Sequence, residues 1–224
     1  MTGLEISGYV KRLRELKAGR KKRVNFLVLN GIPPKRIIEI GATRYRGFVD
    51  RSLATSELPH QSPSQTLLLV GTAFLIESVT MIDFISEALE GNNSIEILFR
   101  PHPQTKSTFL KMQKDEHFQS IRISGNPLYN DLQWADVVVS SWSTMLCEAF
   151  FMGKQCASIF TSGWISQPPL PEKLCKYFSD THSFSEWIMA CPKRKYSYDF
   201  LRTTRENLFG CTNINSGKIL QNFV

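Results

Sequence analysis

Three short stretches carry side chains whose types and spacing could do chemistry. The densest is Ser140-Ser141-Trp142-Ser143-Thr144, with Glu148 four residues beyond it. Three serines and a threonine in five positions offer short hydroxyl donors that let a phosphate come close. Placed between a strand and a helix, they would join the helix's free backbone N–H groups and positive dipole end in an anion site. Helix capping accounts for one hydroxyl, Ser143 or Thr144, and leaves the rest of the cluster unexplained. Glu148 lies too far into the helix for a capping box. Its side chain leans back toward the helix N-terminus, where it could accept hydrogen bonds from ribose hydroxyls. A solvent-facing glutamate is the alternative reading of that position.

The second stretch is Arg100-Pro101-His102-Pro103. Two prolines fix the backbone around the histidine and restrict the residues before them. The imidazole is thus held stiffly, with ring nitrogens able to meet a phosphate or a leaving oxygen, and Arg100 can add charge. A structural histidine satisfied by its neighbours is the alternative. The third stretch is the turn Gly71-Thr72. The remaining histidines, His60, His117 and His182, show no metal-ligand spacing. Cys147, beside Glu148, reads as helix packing rather than as a nucleophile. No G-x-S-x-G, Walker A or G-x-G-x-x-G occurs, so hydrolase and ordinary dinucleotide chemistry lack their motifs.

These stretches need elements to position them, and from Gln65 onward the pattern supplies them. Strands are predicted at Thr66–Val70, Ser94–Phe99, Ser120–Ile123, Asp136–Val139 and Gln155–Phe160. Helices are predicted at Ile76–Leu89, Thr105–Lys114, Leu128–Trp134 and Met145–Met152. In the last of these, Leu146, Ala149, Phe150 and Gly153 form the inward stripe, with Glu148 off it. The final 40 residues read as helical, interrupted at Pro192 and Gly210. Strands alternating with helices at this spacing imply an α/β fold, a Rossmann-like doubly wound parallel sheet. In such a sheet ligands sit beyond the carboxyl ends of the strands, which is where all three stretches fall.

Upstream, residues 4–18 could form a basic helix, Val24–Leu29 is a short apolar run and Arg36–Ile40 reads as a short strand. Residues 52–64 carry Pro59 and Pro63 and read as a linker. The expected organisation is therefore a basic segment at 1–51, the linker, and a nucleotide-binding domain at 65–224 with a helical tail. The net charge of +7 lies entirely in the first 50 residues, which hold 12 Lys/Arg against 4 Asp/Glu. It is densest from Lys11 to Arg23. Contact with anionic lipid, a nucleic-acid arm and a solvated helix all fit such a run. Nucleic acid is disfavoured as a partner, since no zinc-finger spacing, RNP motif or convincing helix-turn-helix accompanies the charge. No apolar run reaches membrane-spanning length, and five cysteines without a C-x-x-C pair imply neither a disulfide framework nor a zinc cluster. The expectation is a soluble, intracellular protein.

The succession His102-Pro103, then Asp131-Leu-Gln-Trp-Ala-Asp136-Val-Val-Val-Ser-Ser-Trp-Ser-Thr144, then Glu148-Ala149 and Gly153-Lys154, resembles the C-terminal nucleotide-binding half of GT-B fold glycosyltransferases. It is similar above all to bacterial polysialyltransferase and CDP-glycerol glycerophosphotransferase type enzymes of capsule and surface polysaccharide biosynthesis. The likeness is good over 65–160 and weaker over Tyr198–Val224; Gly31–Gly41 also resembles the segment preceding their interdomain linker. It implies that His102, as the catalytic residue, and the turn Ser140, Ser141, Ser143 and Thr144 bind the nucleotide phosphates, with Arg100 and Pro103 beside them. It also implies Glu148 on the ribose and Gly71-Thr72 closing around the donor. The implied donor is nucleotide-activated, CMP- or CDP-linked before UDP, and the acceptor is a glycan or a lipid-linked glycan. The implied setting is cytoplasmic, with 11–23 touching the anionic inner membrane face. No cofactor is implied, and no D-x-D metal motif is present.

Fifty residues ahead of the linker are too few for the first domain of such an enzyme. The expectation is a donor half, a degenerate member, or a subunit needing a partner. Two other readings stay open. One is a non-catalytic nucleotide-binding module. The other is an isomerase like UDP-N-acetylglucosamine 2-epimerase, whose usual paired acidic residues are missing because Ala149 follows Glu148.

Overall fold

A computed structural model describes residues 28–30, 33, 64–113, 121–160, 169–191 and 196–209. The expectations for 4–18, 36–40 and nearly all of 52–64 lie outside the described residues. The chain divides into two units, Arg51–Lys195 and Met1–Asp50 with Tyr196–Val224.

The first unit is built on six parallel strands. They are β1 (Gln65–Val70), β2 (Ile95–Arg100), β3 (Arg122–Ile123), β4 (Val137–Ser140), β5 (Gln155–Ile159) and β6 (Lys176–Phe178). Between them run α1 (Leu75–Ala88), α2 (Lys106–Met112), α3 (Leu128–Trp134) and α4 (Met145–Phe151), with α5 (Thr181–Ala190) after β6. The strand order is β3-β2-β1-β4-β5-β6, every pair parallel. This is the doubly wound Rossmann-like arrangement expected from the alternating pattern, and its connections reverse direction between β1 and β4.

The central strands are apolar because both faces of the sheet are covered. Leu67 to Val70 of β1 and Val137 to Val139 of β4 are essentially inaccessible to water. Aromatic edges extend this core. Phe99 meets Phe109 edge-on with ring centroids 4.7 Å apart, and Phe184 of α5 meets Phe84 of α1 and Phe178 of β6 at 5.8 and 5.3 Å. β6 has no counterpart among the strands predicted from the sequence. It is only three residues, too short to show a period, but Ala157, Ser158 and Ile159 pair with it in register.

Helix α4 ends as its sequence prescribes. Gly153 takes φ +76°, its N–H donates to the Phe150 carbonyl at 2.9 Å, and the Lys154 N–H reaches back to Ala149 at 3.0 Å. This double bond pattern closes a helix through a left-handed residue and requires glycine there. The helix is buried on every side, Leu146 through Phe151 included. Cys147 and Phe151 continue the apolar surface beyond the expected inward stripe.

In the second unit, α6 (Tyr198–Phe209) is helical as the tail pattern predicts. Tyr196 stacks on Phe200 with centroids 5.4 Å apart, and Arg202 pairs with Asp199 at 3.5 Å. Among the described residues, no helix is long and apolar enough to cross a membrane.

Candidate functional site

Because the strands are parallel, their carboxyl ends share one edge, and β2, β1 and β4 are neighbours along it. The three chemistry-bearing stretches therefore lie side by side. The Gly71 N–H donates to the Arg100 carbonyl at 2.9 Å, joining the end of β1 to the end of β2. The Ser140 hydroxyl donates to the Val70 carbonyl at 2.8 Å, joining β4 to β1. Ser140 is thus the last residue of β4, one position beyond the strand end read from the sequence, and its hydroxyl is committed to the sheet. The switch point between β1 and β4 is flanked by the turn at Gly71 and the turn at Ser141.

The β1 turn is satisfied internally. The Thr72 N–H donates to Ser78 Oγ at 2.9 Å, and Thr72 Oγ1 accepts from the Phe74 N–H at 3.2 Å. A Cβ built on Gly71 would stand 3.0 Å from the buried Phe99 ring and 3.1 Å from Ser78 Oγ. Glycine here lets the strand end press against its own support, so the residue packs inward.

His102 follows β2 with its ring half-buried between the buried Pro101 and the exposed Pro103. Its Nδ1 accepts the Gln104 N–H at 3.3 Å, which places the proton of a neutral ring on Nε2 and presents it as a donor. Its carbonyl accepts the N–H groups of Thr105 and Lys106, which starts α2. Arg100 has a structural partner that the sequence did not reveal. Its Nη1 donates to Asp131 Oδ2 at 2.6 Å and to the Asn126 carbonyl at 2.8 Å. Asp131 is fully buried and also accepts from Ser124 Oγ at 2.5 Å and Asn126 Nδ2 at 3.2 Å.

In the β4 turn, Ser143 Oγ accepts the Met145 N–H at 3.2 Å, and the exposed Thr144 makes no side-chain cap. Ser141 is different. It is 7% exposed, its carbonyl accepts the Ser158 hydroxyl, and its own Oγ is buried without a hydrogen-bond partner. Glu148 is buried within α4, which corrects the solvent-facing alternative. Cys147 is buried as well, and the described cysteines are free thiols.

One residue was not singled out by its sequence position. Glu77, in the first turn of α1, is fully buried, and its Oε1 accepts the Trp142 Nε1–H at 2.8 Å. This bond spans the switch point, tying the helix after β1 to the turn after β4. Oε2 of the same carboxyl is buried with no partner. In sequence Glu77 looks like any acid placed near a helix N-terminus to favour the dipole. No group of three or more His, Cys, Asp or Glu side chains gathers to hold a metal among the described residues.

No family model and no curated protein matches the chain. Solved structures do. The crystal structure of TarM is 14% identical with a TM-score of 0.47, over 74% of this chain and 35% of that one. The wall teichoic acid polymerase TagF is 14% identical with a TM-score of 0.42, over 86% of this chain and 52% of that one. Thermosulfurimonas dismutans KpsC, a β-Kdo 2,4 transferase, is 15% identical with a TM-score of 0.36, over 70% and 54%. The chain spans about a third of the first and about half of the other two.

Proposed function

We propose that this chain is the donor-binding half of a glycosyltransferase-like enzyme. It would move a sugar or glycerophosphate group from a nucleotide-activated donor to a glycan or lipid-linked acceptor of surface polysaccharide. The observation that carries this reading is Ser141. Its hydroxyl is buried and unpartnered at the carboxyl end of β4, beside the switch point, where an open α/β sheet receives its ligand. A buried polar group without a partner is costly, and a phosphate oxygen would satisfy it.

In this reading the donor's phosphates meet Ser141, Ser143 and Thr144 from one side and His102 Nε2–H from the other, with Glu148 toward the ribose. The acceptor oxygen bonds to the transferred group as its hydroxyl proton passes to water, the bond from that group to the donor phosphate oxygen breaks, and its electron pair stays on the departing nucleotide. A donor aimed at that oxygen lowers the barrier because the charge grows there in the transition state. His102 supplies that donor. Cytidine nucleotides are preferred over uridine.

The test is calorimetric titration of CMP, CDP and UDP into the chain and into His102→Ala. The variant is expected to bind at least about tenfold more weakly, the loss of one hydrogen bond to a charged group, with an unchanged melting temperature. Equal affinity in the two proteins would remove His102 from the site. A second reading, a non-catalytic nucleotide-binding module, is favoured by the engagement of Arg100 with Asp131, which keeps that cation from the departing phosphate. It predicts nucleotide binding without turnover when acceptor and donor are both supplied.

The basic stretch 11–23 is assigned to anionic lipid at the inner membrane face. The chain is expected to co-sediment with phosphatidylserine-containing vesicles at low ionic strength and to be released by salt. Binding that persists in high salt, or that is equal on neutral vesicles, speaks against it.

A further inference from the structure

Ser158 is fully buried in β5, between Ala157 and Ile159. A hydroxyl in such a strand needs a partner, and it donates to the carbonyl of Ser141. The ladder between β4 and β5 ends one residue before that carbonyl, at the pair Ser140 and Ser158. The side chain of the last paired residue thus holds the first carbonyl beyond β4, where strand pairing has stopped.

What this bond controls follows from peptide geometry. The unit joining Ser141 to Trp142 is planar and trans, so its C=O and N–H point in opposite directions. Strand β4 lies between β1 and β5. With the carbonyl drawn to β5, the Trp142 N–H is turned away from it, to the side of β1 and the switch point. Among the described residues that N–H meets no acceptor. The Ser141 hydroxyl, on the residue that supplies the held carbonyl, is buried and unpartnered. Two donors without acceptors therefore sit together where an open α/β sheet receives its ligand. The bond from the Trp142 indole to Glu77 secures the ring but not the peptide plane, which can still rotate about the soft torsions on either side of it. A half-turn of that plane would replace the N–H by a carbonyl oxygen, which repels a phosphate.

We infer that Ser158 is a positioning residue. By holding the Ser141 carbonyl it presents the Trp142 N–H, beside the Ser141 hydroxyl, to a phosphate of the nucleotide. The inference rests on the nucleotide-donor reading and adds to it a backbone donor and the side chain that aims it. Ser158 acts from behind the turn, through Ser141, and touches no ligand.

The test follows the chain's four tryptophans by proton–nitrogen correlation spectra of protein labelled with heavy-nitrogen tryptophan. The Trp142 signals are assigned by their loss in Trp142→Phe. Saturation with CMP, CDP or UDP, whichever binds, is expected to move the Trp142 amide proton downfield, as a hydrogen bond to an anion does. In Ser158→Ala the affinity is expected to fall about tenfold, the size of one hydrogen bond to a charged group. The amide response should disappear there, while the indole N–H of Trp142, held by Glu77, keeps its position. A parent amide that does not move at saturation overturns the inference and leaves nucleotide binding in place. So does unchanged affinity in Ser158→Ala. A loss of affinity in which the indole signal moves as well also overturns it, since the whole turn has then shifted. Should Ser158→Ala fail to fold, Ser158→Cys, of similar shape with only a weak donor, takes its place. Absence of binding by all three nucleotides overturns the nucleotide reading itself, and this inference with it.

Discussion

Asp131→Ala is expected to cost about 3 kcal/mol of folding stability, toward the lower end of what breaking a buried ion pair costs. The Asp131 carboxylate is shielded completely and collects three donors, from Ser124, Arg100 and Asn126. Removing it leaves the buried Ser124 hydroxyl without its acceptor and takes the carboxylate from the Arg100 guanidinium, which keeps only the Asn126 carbonyl of the two acceptors described. The figure stays modest because the Arg100 side chain is 26% exposed and recovers some hydration. Asp131→Asn keeps the shape and one acceptor oxygen, so it should lose less than the alanine variant. Urea unfolding of the three proteins measures this, and an alanine variant within about 0.5 kcal/mol of the parent, the range of ordinary surface substitutions, would mean the cluster contributes no stability. The consequence reaches the site, because Arg100 ends the strand that leads directly into His102. Nucleotide affinity should fall in Asp131→Ala even at temperatures where the fold persists.

The second large effect is one of pH. Lys154 follows the glycine that closes α4, and its ammonium donates to the Gln133 carbonyl at 2.9 Å. Burial pushes its pKa down to about 8, against a smaller upward pull from Asp136. An unfolded lysine titrates near 10.4. Between these two values the unfolded chain binds a proton that the folded chain does not. Stability contributed by this group therefore rises with pH across that window, by about 3 kcal/mol in all. The buried thiols of Cys156 and Cys175 are pushed up by the same loss of water. They work in the opposite direction, since unfolding releases thiols that ionise above about pH 8.5. Lys154→Met separates the two effects. The stability of the parent relative to this variant should climb from pH 7 to pH 10.5, and parallel stability curves would show that Lys154 titrates normally.

The sheet was readable because its central strands, Leu67 to Val70 and Val137 to Val139, are continuous apolar runs set between helical patterns. Ser140 misled at one position, since a serine after three valines looks like the beginning of a turn. Its place in the strand is fixed by a carbonyl 70 residues away. Short β6 carries too little pattern to be seen. The edge that holds His102 and the serine turn followed from topology alone, but the fates of individual side chains did not. Arg100 and Asp131 are 31 residues apart in sequence, and Glu77 and Trp142 are 65 apart. No local spacing announces either pair, and both form where the fold brings a helix against the end of a strand or the turn after one. A solvent-facing Glu148 stayed open beside the ribose-binding one because a single apolar stripe was taken as the buried face. Cys147 and Phe151, which complete the other face, were the available signal that the whole helix is buried.

The parallel register of Leu67 with Val137 also governs how the domain comes into being during synthesis. β1 can pair with β2 as soon as residues near Arg100 are available, yet its opposite edge has no partner until β4 has been made. A chain emerging from the ribosome thus carries, for some 40 residues of elongation, a strand of buried leucines with one open edge, the kind of edge that invites pairing with other chains. Pairing with β4 covers that edge of β1 and hands the open edge on to β4 until β5 is made, and the same step completes the ligand edge.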